Sequence, residues 1–81
     1  MSKWEKFRAK ILGGQADQNI DFGDLSTFLQ RLGFEERIRG SHHAFSHEGI
    51  VEIIVLQPAT GGKAKAYQVK QVRELIEAYD L

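Results

Sequence analysis

The sequence predicts an α+β domain, a three-stranded antiparallel sheet with helices on one face and an extra helix at the N-terminus. Two segments, 21–33 and 67–79, place apolar side chains at helical spacing. Between them, residues 34–56 change to a period of two and break at glycine-containing turns. A shorter helical pattern precedes both, at residues 3–12.

In that first helix Trp4, Phe7 and Ile11 recur at i, i+3 and i+7, while Lys3, Lys6 and Lys10 fall on other faces. Ser2 is a suitable N-cap, and Gly13-Gly14 ends the helix. Residues 15–20 are polar and read as a linker, so residues 1–20 form a helix and linker ahead of a domain over 21–81. Asp21 caps a second helix whose stripe is Phe22, Leu25, Phe28, Leu29 and Leu32. Gly33 follows directly, where a left-handed residue belongs.

The first strand begins at Phe34 and ends at Gly40, and the second runs from Ser41 to Ser46. His47-Glu48-Gly49 reads as a short hairpin loop before Ile50–Leu56, the strongest β signal in the chain. Pro58 and Gly61-Gly62 open a loop through about Ala66. The last helix starts near Tyr67 and carries Val69, Val72, Leu75, Ile76 and Tyr79 on one stripe.

Alternation assigns the sheet faces. Phe34 and Ile38 are expected on the helix-covered face, with Arg37 and Arg39 opposite. Phe45 is expected inward together with His43, leaving His42 and Ala44 outward. In the third strand Glu52 is expected to avoid the core, so Val51, Ile53 and Val55 turn inward and Ile54 outward. On that assignment the open face collects Arg37, Arg39, His42, Glu52 and Ile54. Outward Ile54 would be covered by the N-terminal helix or by another protein.

Composition narrows the function classes. Eleven Lys+Arg balance eleven Asp+Glu, so bulk charge holds this chain on neither nucleic acid nor an anionic membrane. The 42% hydrophobic content at zero net charge argues against disorder. The absence of cysteine removes disulfides and cysteine-ligated metal. No apolar run reaches the roughly 20 residues of a membrane helix, and the charged N-terminus is not that of a signal peptide. The expectation is a small cytoplasmic domain.

Leu32-Gly33-Phe34, then Arg37, then Gly40-Ser41-His42-His43 with Phe45 two residues on, resembles the HicA family of bacterial toxins. These are small ribonucleases of type II toxin–antitoxin systems. The resemblance runs from about Phe22 to Tyr79. It implies a fold like the double-stranded-RNA-binding domain, α-β-β-β-α, with His42, after Gly-Ser, as the catalytic residue. It also implies mRNA as substrate and a HicB-like antitoxin as partner, in a hetero-oligomer with it or monomeric when free. No cofactor is implied. The family's usual Pro-x-His near the end of the third strand is replaced here by Gln57-Pro58-Ala59, and the first helix lies outside the family core.

The chemistry suits a histidine. Metal-independent RNA cleavage needs a base for the ribose 2′-hydroxyl and an acid for the departing 5′-oxygen, and an imidazole can serve either near neutral pH. Cations must offset charge growing on the phosphate. Candidate RNA-binding residues are Arg37, Arg39, Lys63, Lys65 and Lys70. From residue 60 to 73 there are four cations, the fourth being Arg73, and no acid. His43 is expected partly buried beside Phe45 and His47 exposed in a turn. His42 and His43, adjacent in a strand, point to opposite faces and do not share a metal. The competing reading is a non-catalytic RNA-binding or protein-interaction module, in which His42 and the arginines are a solvated strand surface.

Overall fold

The computed structural model describes residues 2–81. Its elements run α1 (Lys3–Gly13), α2 (Phe22–Arg31), β1 (Glu35–Arg39), β2 (His42–His47), β3 (Ile50–Leu56) and α3 (Ala66–Tyr79), with short 3₁₀ turns at Asp17–Asn19 and Thr60–Gly62. The sheet is antiparallel in the order β1-β2-β3. This is the expected α-β-β-β-α order with one added N-terminal helix.

Both helices that lead into the sheet start and stop as the sequence predicts. Ser2 Oγ accepts from Glu5 N, and Glu5 returns the bond to Ser2 N, a capping box at α1. Asp21 Oδ2 accepts from Asp24 N at 2.9 Å. At the far end of α2, Gly33 N donates to Gln30 O and Phe34 N to Leu29 O, both at 3.0 Å. That pair is a Schellman motif, and Gly33 holds the positive φ (103°) it needs.

One core runs from Phe7 and Ile11 on α1 through Leu25, Phe28 and Leu29 on α2 to Phe45, Ile54 and Leu56 of the sheet and Val69, Val72 and Ile76 on α3. Trp4, Phe7 and Phe28 form an aromatic cluster with ring centroids 5.1–6.4 Å apart, so α1 enlarges a small core. The segment expected to be a polar linker is part of the fold. Ile20 is buried, and Asp17 receives the Arg73 guanidinium at 3.0 Å.

The faces of β1 and β2 follow the predicted parity, except that Ile38, at the end of an edge strand, is exposed. Those of β3 are reversed. Ile54 and Leu56 are buried, whereas Val51, Ile53 and Val55 are 89%, 65% and 50% exposed on the open face. The cause is one residue in the hairpin. His47 belongs to β2 and pairs with Ile50, leaving a two-residue Glu48-Gly49 turn. A loop one residue shorter turns every β3 side chain over. A register shift beyond this turn then sets Phe45 opposite Ile54. Glu52 shares the helix side without entering the core, because it lies at the rim and accepts from Tyr79 Oη at 2.6 Å.

Candidate active site at one end of the open face

β1 and β2 are joined by the two-residue Gly40-Ser41 turn, so Arg39 and His42 close the hairpin as a cross-strand pair. His43 pairs with Leu56, which carries the same register on to His42 and Gln57. Arg39, His42 and Gln57 therefore form a row across three strands, all outward. Arg37 lies two pairs further in, opposite Ala44 on the same face.

Gln57 Nε2 meets His42 Nε2, and Lys65 Nζ donates to Gln57 Oε1 at 3.4 Å. The backbone of Gln57 is held as well. The Gln68 side-chain amide, oriented so that each end meets a complementary partner, donates to Gln57 O at 3.0 Å and accepts from Gln57 N at 2.9 Å. A buried α3 side chain thus takes the place of a neighbouring strand at the end of β3.

Lys65 is also the N-cap position of α3, a fourteen-residue helix with no acidic residue in its first turn. The positive end of the helix dipole and the lysine charge therefore coincide beside Gln57. The loop that delivers Lys65 is tied down: Ala64 N donates to Ile20 O at 2.8 Å and Ala59 N to Lys63 O at 2.7 Å. Lys63 and Lys70 are exposed. Of the three candidate lysines, Lys65 is the one bonded into the His42 group.

Arg73 is not part of this patch. Its Nη1 donates to Asp17 Oδ1 at 3.0 Å and to the Ile11 carbonyl at 3.1 Å. The hydrogen bond to Asp17 outweighs desolvation and raises the guanidinium pKa further above its ordinary value. The positive surface is accordingly smaller than the sequence implies.

The other histidines are built into the fold. His43 points inward, donates from Nδ1 to Glu36 Oε2 at 2.7 Å and packs on the Phe22 ring at 4.8 Å. Glu36 also accepts from Ser26 Oγ and Gln30 Nε2 on α2. His47, expected exposed, is half-buried. Both ring nitrogens face backbone carbonyls, Nδ1 that of Glu48 and Nε2 that of Leu32, and the ring packs on Phe34. Among the described residues, no three His, Cys, Asp or Glu side chains gather as a metal-binding group, and no helix is long and apolar enough to cross a membrane.

Gln57 and Gln68 are the site residues that sequence reasoning missed. Gln57 comes opposite His42 only through the register shift between Phe45 and His47, which the sequence does not mark. The Gln68 contact is long-range and left no local pattern. A family model described as the HicA toxin of bacterial toxin–antitoxin matches residues 23–78. No curated protein and no solved structure matches the chain at a significant level.

Proposed function

The chain belongs to the HicA toxin family of bacterial toxin–antitoxin systems, and from that premise we propose that it is a metal-independent endoribonuclease that cleaves mRNA, with His42 as the general acid–base. The observation that carries this reading is the outward row at the end of the sheet. An exposed imidazole stands between Arg39 on one side and Gln57 with Lys65 on the other.

A phosphodiester laid across that row meets cations on both sides of the histidine. In the reaction the 2′-hydroxyl loses its proton, the 2′-oxygen bonds to phosphorus and the bond to the 5′-oxygen breaks. His42 handles a proton, and Arg39 and Lys65 offset the charge that develops on the phosphoryl oxygens. Arg37, Lys63 and Lys70 extend the contact along the RNA backbone. The site acts in the cytoplasm, where mRNA is found.

The partner is an antitoxin, and the open face is the surface it covers. Val51, Ile53 and Val55 lie exposed beside the basic row, an apolar strip next to charge of the kind that a protein interface buries. An antitoxin seated there shields His42 by the same contact.

Induction of the chain in a bacterial host, paired with cleavage of purified RNA, tests the reading. Wild type arrests growth and cleaves in the presence of EDTA, leaving a 2′,3′-cyclic phosphate or 3′-phosphate end. His42→Ala melts as wild type does, keeps RNA affinity and loses roughly 10²–10⁴ in rate. A folded His42→Ala chain that still cleaves rejects the assignment. A wild type that binds RNA without cutting it belongs with the non-catalytic modules.

A further inference from the structure

The hydrogen-bond chain behind His42 determines which of its nitrogens carries the lone pair. Lys65 Nζ has only donors, so the end of the Gln57 amide that faces it, 3.4 Å away, is the oxygen Oε1. That orientation leaves the amide nitrogen, also donor-only, against His42 Nε2. A donor there requires an acceptor, so Nε2 is unprotonated and the ring proton of neutral His42 sits on Nδ1.

The chain is anchored rather than floating. Gln68 holds Gln57 by its backbone N–H and C=O together, and Gln68 is itself 1% exposed. The Gln57 side chain therefore leaves a fixed backbone position, with one end of its amide taken by Lys65.

From this geometry we infer that Gln57 is a positioning residue that sets His42 as the Nδ1–H tautomer and makes Nε2 the basic nitrogen of the cleavage step. This rests on the ribonuclease reading and goes beyond it by naming the atom and the residue that prepares it. The Gln57 N–H occupies the place that the ribose O–H takes when RNA binds. The 2′-hydroxyl proton then passes to Nε2, the 2′-oxygen bonds to phosphorus, the P–O5′ bond breaks, and the 5′-oxygen takes a proton from solvent. Lys65, held to the far end of the Gln57 amide, is left to offset the phosphate charge.

Gln57→Glu is the informative substitution. It preserves size and still accepts from Lys65, but presents only acceptors to His42. Long-range ¹H–¹⁵N spectra at about pH 8.5, where an ordinary imidazole is neutral, report which ring nitrogen bears the proton. The His42 signal is assigned by its loss in His42→Ala. Wild type shows Nδ1–H, Gln57→Glu moves the proton to Nε2, and Gln57→Leu has no fixed preference. In cleavage assays Gln57→Leu lowers kcat/KM roughly 3–10-fold, because the contact that prepares His42 is made in the free chain and given up to the ribose hydroxyl.

A wild-type His42 protonated on Nε2, or a Gln57→Glu spectrum identical to wild type, overturns the role of Gln57 and leaves the ribonuclease reading standing. Gln57→Leu with the wild-type kcat/KM does the same. An active His42→Ala chain overturns the ribonuclease reading itself, whatever the tautomer spectra show.

Discussion

Arg73 on α3 grips Asp17 with both terminal nitrogens, at 3.0–3.2 Å, while the Nη1 that reaches Asp17 also donates to the Ile11 carbonyl. One guanidinium therefore joins the last helix, the end of the first and the turn between α1 and α2. Both side chains are mostly buried, so the pair is screened less than a surface salt bridge. Arg73→Ala and Asp17→Ala are each expected to cost about 1–3 kcal/mol, because each leaves a charged partner unsatisfied. For a chain of this size the melting temperature falls by roughly 4–8 °C per kcal/mol. The double variant should cost less than the sum, which a mutant cycle by thermal melting reads directly.

The reversed strand faces make a sharp contrast between neighbours. Ile54→Ala is expected to cost about 2–5 kcal/mol, as core deletions do. Ile53→Ala, on the open face, should stay within about 0.5 kcal/mol. Urea titration of both variants checks the assignment. Equal losses would mean that β3 sits in the other register.

Much of this fold was legible because its signals are local. Caps and apolar stripes defined α1, α2 and α3 to within a residue or two, and alternation put His42 outward and His43 inward. Two kinds of information were not local. The faces of β3 turned on whether His47 belongs to the strand or to the loop, and its ring decides that by reaching the Leu32 carbonyl fifteen residues away. Gln57, Gln68, Asp17 and Arg73 find partners across the fold, and nothing in their immediate neighbours marks them. The site was half readable for the same reason: Gly-Ser-His marked the imidazole, and only the packed chain shows what stands behind it.

Gly33 carries two constraints at once. Its φ is 103°, and a Cβ there would meet His47 Nε2 at 2.9 Å. Gly40 has a positive φ of 60° but open space around it. Gly40→Ala is expected to cost about 1–2 kcal/mol, the usual figure for a left-handed non-glycine residue, and Gly33→Ala measurably more. In a His47→Ala background the extra cost at Gly33 should shrink while the conformational part remains. Denaturant midpoints of the four chains test this.

Alkaline stability follows from Tyr79. Its hydrogen bond to Glu52, with burial and the Glu52 charge adding, raises the phenol above its ordinary value of about 10. A raised folded value favours the neutral form, so this stabilisation is full below the unfolded pKa and disappears as pH climbs through the folded one. Wild type should lose more stability than Tyr79→Phe as pH rises above about 10. Melting curves of the two chains across that window decide it, and parallel curves would remove Tyr79 from the account.

RNA affinity should separate from chemistry. Neutralising Arg39, Lys63 or Lys65 is expected to weaken binding at every sequence and to flatten the salt dependence by about 0.7 in log–log slope per lost single-strand contact. Arg73→Gln should leave that slope unchanged, since its charge is spent inside the fold. Fluorescence anisotropy at several salt concentrations provides the slopes.

The Gln68 clamp also imposes an order of assembly. His42, Arg39 and Gln57 all emerge from the ribosome before α3, yet the amide that fixes Gln57 lies in that last helix. A nascent chain stopped at residue 65 already carries the imidazole, both hairpins and every cation of the row. It lacks the one side chain that holds the end of β3. The histidine's setting is thus completed by an element synthesised after it, and a chain stopped before α3 holds the imidazole without its frame.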